Sequence, residues 1–211
     1  MNMAKENSLQ HKAAWVFSVI LHPLWFPSVL LVLLFSLPSY VHLLPGEIKR
    51  FDLLIVSINT LFIPVAYIII FYRLKIIRSF QLETREERNL PLILYVVFSY
   101  VSFVVLKKVH QPSLVWQILL VSSTITFFCL LVNFRWKISL HMAGIGGFSG
   151  MLLIFTLRAG PVFSWWWIVS LLLSGILGTS RLMMKQHTPS EVYTGFFTGF
   201  FLAALLLWYM A

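Results

Sequence analysis
Acid is what this sequence lacks most. From Asn89 to the C-terminus the 211-residue chain carries no Asp and a single Glu, Glu191. Charged residues of either sign make up 11% of the chain, against roughly 25% in an ordinary soluble domain, so a soluble globular fold is excluded. A disulfide framework is excluded as well, because Cys129 is the lone cysteine and it lies inside an apolar run. What replaces charge is hydrocarbon. Apolar runs of about 18 to 20 residues recur, each long enough to cross a bilayer as a helix. Helices satisfy their own backbone polar groups, which lipid demands.

The sequence therefore predicts one all-α, polytopic integral membrane domain over residues 1–211, with about six to seven transmembrane helices and no soluble module. The formal charge of +9 is spread over short loops, which favours anionic lipid or phosphate partners over nucleic acid. The first apolar segment, about Ala13 to Val41, carries His22, Pro23 and Pro27 and is expected to kink there. His22 reads as a packed interfacial histidine. A second span covers roughly Leu53 to Tyr72. The stretch from Arg73 to Leu90 follows, the most polar of the chain, with Glu83, Arg85, Glu86, Glu87 and Arg88 close together. It is either a solvated loop of self-paired charges or a source of phosphate ligands. Pro91 is expected to open the third span, and the fourth runs from about Leu114 to Val132.

The fifth span begins at Ser139, a natural N-cap, with His141 in its first turn. Gly146 and Gly150, and Ala143 and Gly147, stand four apart, as Gly195 and Gly199 do in the last span. Such small-xxx-small spacing lets two helices pack closely. Between the sixth and seventh spans lies Arg181, then His187 six residues later, then Glu191 four after that. An ionisable group kept between two membrane spans marks a functional site by default. Thr188-Pro189-Ser190-Glu191 is also a capping box, so Glu191 either closes the helix start or orients His187. With seven spans, the loops after the second, fourth and sixth share one membrane face. That brings Arg85 and Arg88, Ser139 and His141, and Arg181, His187 and Glu191 to the same side.

Two histidines, one acid and several cations suit phosphoryl transfer. Cations bind phosphate oxygens, one imidazole attacks phosphorus, and the other protonates the leaving oxygen. A magnesium site would want more carboxylates than this half of the chain supplies, and no HExxH zinc motif is present.

These residues resemble the type-2 phosphatidic acid phosphatase superfamily. Ser180-Arg181, five residues, His187, three residues and Glu191 are similar to its third signature, with Glu where that signature has Asp. Ser139-Leu140-His141 resembles its second, Pro-Ser-Gly-His, with Leu140 at the Gly. The ending of its first, Arg-Pro, is echoed by Arg88-Asn89-Leu90-Pro91. Arg78 and Arg85 have the spacing of that first signature. The resemblance covers roughly residues 75–210. It implies a membrane phosphatase acting on a lipid phosphate or diphosphate, with no cofactor and no metal. His187 is then the nucleophile, His141 the general acid and Glu191 the partner that orients His187. Arg181, Ser180 and Ser139 bind phosphate, with Arg85, Arg88 and Lys137 as further cations. The expected location is a bacterial inner membrane. Cation counts do not fix the orientation. Setting aside Arg85, Arg88, Lys137 and Arg181 leaves the two faces nearly balanced. A non-catalytic helix bundle that binds anionic headgroups or a partner protein is the competing expectation.

Overall fold
The structure is a computed structural model that describes residues 2–82 and 84–210; Glu83, one of the clustered charges, lies outside them. Nine α-helices account for most of the chain, and no strand occurs among the described residues. They are α1 (Asn2–Ile20), α2 (Phe26–Ser36), α3 (Gly46–Ser57), α4 (Ile63–Arg73), α5 (Arg85–Lys108), α6 (Ser113–Asn133), α7 (Leu140–Ala159), α8 (Ser164–Met183) and α9 (Pro189–Met210). Seven stretches are long and apolar enough to cross a membrane, so the protein is an integral membrane helix bundle.

Two of the spans are broken, and proline breaks both. Pro23 and Pro27 lack the N–H that would continue α1, so the chain restarts through a 3-10 turn, Pro23–Trp25, before α2. Nδ1 of His22 caps that restart by accepting the Leu24 N–H at 3.4 Å. In the second span, Pro64 follows a π-helical turn, Ile58–Phe62, that joins α3 to α4. The turn aims Asn59 at α5. Its Nδ2 donates to Phe98 O at 3.1 Å and Ser102 Oγ at 2.6 Å, and its Oδ1 accepts from Ser99 Oγ. Every polar atom of that buried amide is thereby matched, as the membrane interior requires.

The third span starts earlier than Pro91. Thr84 caps α5 by accepting the Glu87 N–H, and Arg85 is the first helical residue. The Thr-x-x-Glu at 84–87 has the pattern of a capping box, but Glu87 Oε1 accepts the Arg78 N–H at 2.9 Å, and the Thr84 hydroxyl does the capping. The shift matters because it makes Arg88 a helical residue with a fixed direction rather than part of a loose loop.

α7 and α9 are the pair on which the site rests. A Cβ at Gly146 or Gly150 would strike the carbonyls of Phe196 or Phe200, and one at Gly199 would strike that of Ala143. The two backbones touch, as the small-residue spacing predicts. Ser139 N–H donates to Glu191 O at 3.3 Å, so the starts of α7 and α9 are joined. Gly199→Val is expected to wedge them apart and lower stability by about 1–3 kcal/mol, as overpacking does. Thermal unfolding in detergent measures this; an unchanged midpoint would show that the contact is not needed.

Candidate active site
α8 ends at Met183 with Arg181 in its last turn, and the chain reaches α9 in five residues. The turn between them is tight. Gln186 N–H returns to Arg181 O, Lys185 N–H to Leu182 O, and Lys185 takes a positive φ of 53°. His187 is thereby delivered beneath the start of α9. There Thr188 Oγ1 accepts the Glu191 N–H at 3.4 Å, and Glu191 Oε2 accepts the Thr188 N–H at 3.1 Å, which completes the capping box.

The same Oε2 lies 2.9 Å from His187 Nδ1. One carboxylate oxygen thus closes the helix start and holds the imidazole, and the two roles read as alternatives in the sequence coexist. A carboxylate oxygen accepts, so the His187 proton sits on Nδ1 and the lone pair on Nε2. Burial is the main influence on this ring and holds its pKa below the ordinary histidine value. The hydrogen bond to Glu191 opposes that, and Arg181 and Arg88 reinforce it. The neutral imidazole, the nucleophilic form, is favoured.

His187 opens onto a cavity of about 430 Å³ whose polar end is lined by His22, Arg88, His141, Arg181 and His187. Arg88 is 4% exposed and is held by two carbonyls: Nε donates to Leu82 O at 2.8 Å and Nη1 to Ile138 O at 3.2 Å. Arg181 is 6% exposed, and its Nε has no hydrogen-bond partner among the described residues. His141, from the first turn of α7, lines the same end and lies within electrostatic range of Arg181 and His187. The loop before α5 forms the rim, where Gln186 Nε2 donates to Gln81 Oε1 at 2.9 Å.

The remaining candidates stand apart from this end. Arg85 donates through Nη1 to Arg135 O at 2.8 Å and does not line the cavity. It ties the α4–α5 loop to the α6–α7 loop, because its place in the first turn of α5 points it along the surface. Ser180 Oγ donates to its own helix at Ile176 O, 2.8 Å away, and faces a groove between α1 and α8. The spacing that puts Arg181 in the cavity turns the residue before it aside. Lys137 is half-buried and outside the lining. Ser139 is buried at the N-cap of α7, and its Oγ neither caps that helix nor bonds any described residue.

His22, read as a packed interfacial histidine, packs its ring edge to face against that of His141, with centroids 4.9 Å apart, and lines the same cavity.

Among the described residues no three His, Cys, Asp or Glu side chains converge closely enough to hold a metal ion. Chemically, the arrangement offers one imidazole lone pair backed by a carboxylate, two further imidazoles and two guanidiniums. No protein-family model, curated protein or solved structure matches the chain.

Proposed function
We propose that this protein is a membrane-embedded phosphatase acting on a lipid phosphate or diphosphate through a phosphohistidine, and that it works in a bacterial inner membrane. One observation supports this most: two buried arginines line one cavity, neither forms an ion pair with a carboxylate among the described residues, and the Nε of one is unpartnered. Buried charge without a counter-ion is costly, so a cavity of this kind is built for an anion. Phosphate suits it, because guanidinium N–H groups match its oxygens in pairs.

Each group then has a task. Arg88 and Arg181 bind the non-bridging oxygens and take up the charge that develops on them. His187 Nε2 attacks phosphorus, forming a P–N bond as the P–O bond to the lipid breaks. His141 gives that leaving oxygen its proton. The positive charge that grows on His187 is met by Glu191. Water then attacks the phosphohistidine, passes a proton to His141, and releases inorganic phosphate. The resemblance to the type-2 phosphatidic acid phosphatases points the same way, with Glu191 and Leu140 as the departures.

The direct test is phosphate release from a lipid phosphate by purified protein, with EDTA in one arm and vanadate in another. Turnover that survives the chelator and is blocked by vanadate is the expected result. Activity that vanishes with EDTA and returns with zinc or magnesium would overturn the phosphohistidine route. No release from any lipid phosphate would favour a headgroup-binding bundle.

His141 has its own signature. His141→Ala is expected to slow an alkyl phosphate, whose leaving alkoxide needs a proton, by about 10²–10⁴-fold, the usual worth of general acid catalysis. A nitrophenyl phosphate should lose much less. Equal losses on both would remove His141 from this role.

A further inference from the structure
The cavity does not stop at the charged residues. Beyond them it continues along the helices toward the middle of the bilayer, lined on α7 from His141 to Met151. Ten residues of helix span about 15 Å. The lining from Cys129 back to Ser122 on α6, and from Arg88 to Tyr95 on α5, runs about 10 Å in each case. Pro27 and Pro64, at the breaks of the first two spans, line it as well. Its composition changes with depth. Every charged lining residue belongs to the polar end. The deeper wall includes Ile68, Leu92, Ile125, Phe148 and Met151. Two polar atoms in that wall are already engaged: Tyr67 OH donates to Pro91 O, and Thr126 Oγ1 to Ser122 O. What they leave is an apolar slot beneath an anion site.

We infer that this slot receives the hydrocarbon chain attached to the phosphate, and that the substrate is a single-chain lipid phosphate whose first tail segment lies inside the bundle. The inference rests on the reading of the polar end as a phosphate site. Three observations carry it. The charged end is cationic and has an unpartnered buried donor in Arg181, which suits a phosphate headgroup. The apolar wall begins directly below, so a chain leaving the phosphate oxygen meets hydrocarbon at once. The volume limits the chain count. At about 430 Å³ the cavity lies in the lower half of the range of small-ligand pockets, about 300–1,000 Å³, each of which holds one drug-sized molecule. That suits a headgroup with one chain segment better than two acyl chains with their glycerol.

α6 supplies its own ruler. Ile125 and Cys129 line the slot, while Phe127, Phe128 and Leu131 on the same helix are exposed on the outside of the bundle. The test uses the wild-type protein in lipid nanodiscs and a single-chain alkyl phosphonate, whose C–P bond resists hydrolysis, with a photoactivatable diazirine in the chain. Adducts are mapped by mass spectrometry. The expected result is adducts at Ile125, Cys129 and Met151 in clear excess over Phe127, Phe128 and Leu131, removed by excess unlabelled octyl phosphonate. A two-chain phosphonate should compete more weakly. Adducts mainly on the outer face, or none that octyl phosphonate removes, would overturn the slot. Equal competition by the two-chain analogue would overturn the single-chain assignment. Phosphate release is measured separately. Slot adducts without turnover would defeat the phosphatase reading alone, and turnover with outer-face adducts would defeat the slot alone.

Discussion

His187→Ala is expected to remove turnover almost completely, by about a thousandfold or more, while the protein folds and inserts normally. The size of the loss follows from the chemistry. If Nε2 of His187 forms the bond to phosphorus, no other group in the cavity replaces it. His141 abuts His22 and has no carboxylate beside it among the described residues, so it lacks the partner that holds His187. The covalent intermediate offers a second readout. Wild-type protein quenched during turnover of a ³²P-labelled lipid phosphate should carry label that survives alkali and is lost in acid, the behaviour of a P–N bond. The label should map to His187, and His187→Ala should carry none. His187→Ala with substantial turnover, or label on another residue, would overturn the assignment. Folding is checked by thermal unfolding. His187 contributes a buried ring and one hydrogen bond, so a modest loss of stability is compatible with the prediction and a collapse of expression is not.

The residues differ in how openly the sequence declared them. The spans were legible because hydrocarbon length is nearly sufficient to define a membrane helix. The α7–α9 contact was legible because Gly146, Gly150 and Gly199 have few other uses at that spacing. The convergence of Arg88, His141 and His187 followed from counting crossings, since an odd number of spans between two loops would have separated them. Finer points escaped for physical reasons. The N-cap at Thr84 was masked by charges that also suit a loop, so Arg85 and Arg88 looked equivalent. Helical geometry separates them: three residues turn a side chain through most of a circle and carry it deeper, which puts Arg88 in the cavity and Arg85 at its edge. Ser180 stands apart from the cavity for the same kind of reason, because neighbours on a helix face different ways.

Glu191→Gln is expected to keep the fold and lose most of the turnover, and the shared oxygen explains why the two effects separate. Oε2 accepts the Thr188 N–H and faces Nδ1 of His187, so either partner alone would account for a carboxylate here. Glutamine offers a carbonyl oxygen that can still accept from Thr188, so α9 keeps its cap and stability should change little. Ala offers nothing and should cost about 1 kcal/mol, as a lost cap does. The charge is another matter. If His187 attacks phosphorus as proposed, its ring becomes cationic, in a cavity that already holds Arg88 and Arg181. Glu191 is the single carboxylate in the chain after Glu87, so no other acid in that half of the sequence can take its place. Gln can also present its NH₂ to Nδ1, which would move the ring proton to Nε2 and occupy the attacking lone pair. Loss of charge and wrong tautomer together should lower kcat by about 10²–10⁴-fold, the upper end being the cost of the equivalent Asp→Asn change in a serine-protease triad. Glu191→Asp, which restores the charge with a shorter reach, should recover part of that loss. The measurements are kcat for all three variants beside their unfolding midpoints. A Gln variant with wild-type turnover would reduce Glu191 to a cap and leave the imidazolium of His187 with two arginines and no counter-charge, an arrangement under which the covalent route would have to be abandoned.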